Sequence, residues 1–76
     1  MTKKKLLPKV RSIRELYSMA EMDEGYKKLL IVASNNLGGP SNPTIQQANQ
    51  WLVSNAVESN SESGVVREIN ACRDMV

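Results

Sequence analysis

Six cations open this chain: Lys3, Lys4, Lys5, Lys9, Arg11 and Arg14, with no acid among the first fourteen residues. Side chains of this kind bind polyanions, by displacing counterions from phosphates or by entering a minor groove. The same run can also serve as a solvated tail or meet an acidic protein surface. The remainder holds four cations against eight acids, so a basic arm precedes a mildly acidic body. Near the other end, Arg67, Asn70 and Arg73 fall on what would be the outer face of a last helix. Arg and Asn suit the edges of guanine and adenine.

Other chemistry is poorly supplied. There is no His, so the commonest general base is missing. Cys72 has no base to activate it, and the serines lack triad partners. The acids of "EMDEG" do not have the spacing of a calcium loop. "LGGPS" is not followed by the Lys-Ser or Lys-Thr that a phosphate loop needs. The expectation is a protein that is not an enzyme and has no cofactor or metal. A single Cys fits a reducing cytoplasm better than a secreted disulfide scaffold. No apolar run approaches the roughly 20 residues needed to cross a bilayer, so no membrane partner is expected.

The elements that position these side chains read as helices. Residues 1–11 read as a flexible basic arm, with Pro8 opposing helix at Leu7; Leu6, Leu7 and Val10 could still dock on the body. Residues 12–76 read as a single helical domain. Ser12 and Glu15 form a capping box, and Ile13, Leu16, Tyr17 and Ala20 then share one face. Asp23 can cap a second helix, whose face is Tyr26, Leu29, Leu30, Ala33 and Leu37. Gly38 and Gly39 suit a left-handed ending, and Pro40 forbids continuation.

A third helix has several start signals: Ser41, Asn42, Pro43, and Thr44 with Gln47. Ile45, Ala48, Leu52 and Ala56 line its inner face, while Gln46, Gln47, Gln50 and Ser54 line the outer one. Trp51 sits on the border. "ESNSESG", residues 58–64, reads as a polar loop. Ser61 or Ser63 then caps a fourth helix with Val65, Ile69, Cys72 and Val76 on one side. The fold class is all-α, a small bundle of four short helices with a helix-turn-helix-like pair within it.

Two functions compete. In the first, the last two helices form a helix-turn-helix-like pair, with Thr44, Ala48 and Leu52 packed against Val65, Val66 and Ile69. The arm meets phosphates, and Arg67, Asn70 and Arg73 read bases. The protein is then a small DNA-binding regulator. The turn is longer than the usual three or four residues. A rival register pairs helices two and three, with Gln46, Gln47 and Gln50 reading adenine. In the second function the chain is an adaptor or inhibitor, with an apolar surface near Trp51 flanked by Gln47, Gln50 and Ile31. Met19, Met22 and Val66 also lie off the main apolar faces. Exposed together, they would form a patch for a homodimer or another partner.

Overall fold

The computed structural model describes residues 7–76. Four α-helices follow one another: α1 (Ile13–Ala20), α2 (Glu24–Asn36), α3 (Ile45–Ser59) and α4 (Glu62–Ala71), then a short 3-10 turn over Arg73–Met75. No strand occurs among the described residues. The chain is an all-α bundle, and "LLIVA" lies inside α2.

Each helix starts on a side chain able to serve an orphan backbone N–H. Ser12 Oγ accepts from the Glu15 amide at 3.0 Å. Asp23 accepts from Gly25 at 2.8 Å, and Ser61 accepts from Gly64 at 3.1 Å. On α3 the capping box is complete: Thr44 Oγ1 accepts from the Gln47 amide at 3.1 Å, and Gln47 Oε1 accepts from the Thr44 amide at 3.0 Å. The Ser12 box is shifted by one residue. Glu15 Oε1 accepts from Arg11 N–H at 2.8 Å, and Ile13 N–H, two residues on, donates to Glu62 Oε2 of α4 at 3.2 Å. A carboxylate from a distant helix thus completes the α1 cap.

Both long helices end in the same way. Gly38 has φ of 87°; its N–H donates to Asn35 O, and that of Gly39 donates to Ser34 O. Asn60, at φ 54°, repeats the arrangement with Val57 O, while Ser61 N–H reaches Ala56 O. These are Schellman motifs, with the left-handed position filled by Gly once and by Asn once. The second explains the largest departure from expectation. Residues 58–64 are not a loop: the left-handed Asn60 ends α3 and Ser61 at once caps α4. The polar residues on either side are outward-facing helix.

The core is aliphatic. Leu16, Leu29, Leu30, Leu52 and Ile69 are fully buried, with Ala48 among them. Val66, placed off the main face by its spacing, is buried as well. At Gly39 a Cβ would lie 2.7 Å from the Ser34 carbonyl oxygen and 3.0 Å from Trp51 Cδ1. The turn after α2 therefore closes against its own helix only because that residue has no side chain.

The chain just before α1 is docked. Val10 is buried in the core, and Leu7 packs at its edge. Asn70 of α4 clasps Val10 at both backbone groups: Val10 N–H donates to Oδ1 at 3.0 Å, and Nδ2 donates to Val10 O at 3.1 Å. Arg73 Nη1 donates to Leu7 O at 2.8 Å, and the Tyr26 hydroxyl donates to Pro8 O at 3.2 Å. Of the two expectations for this stretch, the docking of Leu7 and Val10 describes residues 7–10. Among the described residues, no helix is long and apolar enough to cross a membrane.

Candidate functional site

Among the described residues, two of those expected to read nucleic acid are engaged within the fold. Lys3, Lys4 and Lys5 lie outside the described residues. Lys9 and Arg11 are exposed on the docked segment, and Arg67 is exposed on α4. Asn70 and Arg73 face inward instead. A primary amide presents one donor and one acceptor side by side, as a strand residue does. Asn70 therefore pairs with Val10 as a neighbouring strand would, and both ends of its amide are occupied. Arg73 donates through Nε to Asn70 O at 3.0 Å and through Nη1 to Leu7 O. These two corrections leave Arg67 exposed on α4, where Glu62 and Glu68 are exposed as well.

The residues expected around Trp51 also separate. Trp51 is half-buried, its Nε1–H donates to Leu37 O at 3.4 Å, and its ring lies over Gly39. It covers the α2–α3 turn. The Gln47 carbonyl belongs to the α3 cap. Ile31 is half-buried in a hollow with Ile45 and Pro43, and Gln50 is exposed. Of the off-face residues, Met22 is 76% exposed and Met19 is half-buried. Among the described residues, the exposed large apolar side chains are Met22, Val53, Val57 and Met75.

A different apolar surface is present, one that the spacing could have revealed. Asn49, Val53 and Val57 recur every four residues on α3, beside the inner stripe of Ile45, Ala48, Leu52 and Ala56. Val57 is 73% exposed and Val53 43%. With Tyr17, Ile13 and Ala56 they line an open hollow of about 670 Å³ between α1 and α3, and Arg14, Asn49, Asn60 and Glu62 edge it. Asn49 Oδ1 is buried without a hydrogen-bond partner, an acceptor whose burial is costly unless a donor is supplied.

The α3 side of this groove is electrically quiet. No charged residue occurs between Leu29 and Val57, a stretch that contains most of α2 and nearly all of α3. Its exposed polar groups are amides and hydroxyls. Charge returns at the edges: Arg14 and Glu62 at one end of the groove, Glu21 beyond the other.

Nucleophilic and metal chemistry find little here. Cys72 is buried, and Asn36 Nδ2 donates to its Sγ at 3.1 Å. Burial pushes the thiol above its ordinary 9.0; the Asn36 bond opposes this, and the Glu68 and Asp74 charges add to it. The thiolate that a nucleophile requires is therefore disfavoured. Among the described residues no three His, Cys, Asp or Glu side chains come together in a way that could hold a metal ion. No family model matches the chain, and no curated protein or solved structure matches it significantly.

Proposed function

We propose that the protein is a non-catalytic interaction module whose protein partner docks across the α1–α3 groove. The observation that carries this reading is the exposure of Val53 and Val57 beside Tyr17, over an open hollow whose α3 side carries no charge as far as Val57. Covering two valines, an aromatic face and an orphaned amide acceptor removes apolar surface from water at about 25 cal/mol per Å² and gives Asn49 a donor. We place the protein in the cytoplasm, where the unpaired Cys72 would stay reduced.

Position 57 supplies the test. A photo-crosslinking residue there, in cells that make the protein, should form adducts with protein. One at position 67 should not. Adducts only with nucleic acid, or none, would overturn the proposal.

A second reading keeps the DNA-binding regulator and rests on Lys9 and Arg11. Both are exposed on a segment whose neighbours Leu7 and Val10 are anchored, so two cations are held outward from a fixed frame. Binding of that kind would be to phosphate rather than base edge, hence insensitive to sequence. Replacing both with Ala should then flatten the salt dependence of DNA affinity by about two units of slope.

A further inference from the structure

We infer that the partner in the α1–α3 groove is a second copy of this chain, docked antiparallel so that Arg14 of each copy meets Glu21 of the other. The inference rests on the interaction reading and names the occupant. Three observations lead to it.

The first is the charge pattern along α1. Arg14 and Glu21 are exposed, seven residues apart. At 3.6 residues per turn, that spacing returns to the same face, displaced by about 10 Å. Arg14 lines the groove beside Val57 and Glu62, whereas Glu21 lies beyond it, in a neighbouring hollow with Asp23, Glu24, Lys27, Thr44 and Ile45. The exposed face of α1 is thus positive at its start, acidic at its end and neutral at Tyr17 between them.

The second is symmetry. An isologous interface brings the same patch of both subunits together. If the two-fold axis lies in the interface and crosses the helices near Tyr17 and Val53, each helix faces its own copy running the other way. Arg14 then falls opposite Glu21 of the second copy, and the pair forms twice. A charge at the middle of such a face would oppose itself. The stretch from Leu29 to Val57 puts none there.

The third concerns the remaining acids. Glu58 and Glu62 stand near one end of α3. In this arrangement they fall opposite the neutral Ser41–Thr44 turn of the second copy, not opposite each other. A parallel axis would place Arg14 near Asn60, Glu58 and Glu62 of the second copy but leave Glu21 opposite the neutral start of α3. Of the two, the antiparallel arrangement alone pairs both Arg14 and Glu21.

The test uses charge reversal in the full chain. Sedimentation velocity, run from low micromolar to millimolar protein, should show the wild type passing from monomer to dimer. Arg14→Glu places like charges opposite one another twice, and so does Glu21→Arg. Each alone should raise the dissociation constant about tenfold. Mixed in equal amounts, the two variants should form a heterodimer of wild-type affinity, because each then supplies what the other lacks. Both positions are exposed, and matching far-ultraviolet circular dichroism melts would verify that the variants fold. A wild type that stays monomeric to millimolar concentration overturns the inference, and so does a mixture that associates no better than its components. A position-57 crosslink to a different protein, with the purified chain monomeric, overturns it while leaving the interaction reading in place.

Discussion

Replacing Asn70 with Ala separates a clasp from a reading head. The amide makes two hydrogen bonds to the backbone of Val10, at 3.0 and 3.1 Å, in a partly buried setting. Each such bond has a net worth of about 1 kcal/mol, and a buried group left without a partner loses more. Losing both takes away about 2 kcal/mol. If residues 7–10 then lift away, burial of Val10 is lost too, worth about 1.5 kcal/mol at least. Such release limits the loss, because backbone freedom regained at about 1–2 kcal/mol per residue caps it near the worth of the two hydrogen bonds. The expected net destabilisation is about 1–3 kcal/mol. In a domain this small, that lowers the melting temperature by about 10 °C. Thermal denaturation followed by circular dichroism measures the loss. Hydrogen exchange locates it, because the Val10 amide should lose its protection while Leu29 to Ala33 keep theirs. Arg67→Ala, on the same helix but exposed, should change neither. An unchanged melting temperature together with an unchanged Val10 exchange rate would show that Asn70 does not hold the segment.

Gly39→Ala should destabilise by about 1–3 kcal/mol, because the added methyl meets the Ser34 carbonyl oxygen at 2.7 Å and backbone must move; a urea midpoint equal to the wild type would refute this. Ala48→Leu should cost about the same by overpacking a fully buried site, and a neutral effect on the melting temperature would mean that the site is open. Stability should fall in alkali. Burial raises the Cys72 thiol and the Tyr26 hydroxyl above their ordinary 9.0 and 10.0, so the unfolded chain ionises first. The folded state then keeps its full advantage below about pH 9 and loses it as pH rises through the folded values. Cys72→Ala should remove the earlier part of that loss, and a flat stability profile through this range would contradict the assignment.

Much of the bundle was legible because its signals are local. Ser12, Asp23, Thr44 with Gln47, and Ser61 all cap as their positions predict, since a side chain reaching two or three residues ahead needs no tertiary context. Gly38 ends α2 for the same reason. The turn between α3 and α4 was misread because polarity was taken for loop. Exposed helix is polar too, and only the left-handed Asn60 marks the break. The site residues were less legible, since their roles depend on what lies opposite. Asn70 and Arg73 have the chemistry of base readers, but residues 7–10 occupy their polar groups from 60 or more positions away. Trp51 drew attention by its type, while Val53 and Val57 carried the exposed surface. Their spacing was visible; their exposure depends on α1 leaving a hollow beside them.

That long-range fastening bears on how the chain could be cut and rejoined. Leu7 and Arg73 lie within bonding distance, so the two ends of the described domain are neighbours. A short peptide linking them, with a new opening between the exposed Ser41 and Asn42, would give a permuted chain that retains all four helices. In that order α3 and α4 come first, then the linker and residues 7–11, then α1 and α2. The Asn70–Val10 contact would change from one of the most distant in sequence to a nearly local one. The α2–α3 packing, local in the natural order, would become the distant one, so the permuted chain should close the Val10–Asn70 contact early and the α2–α3 contact late while burying the same core.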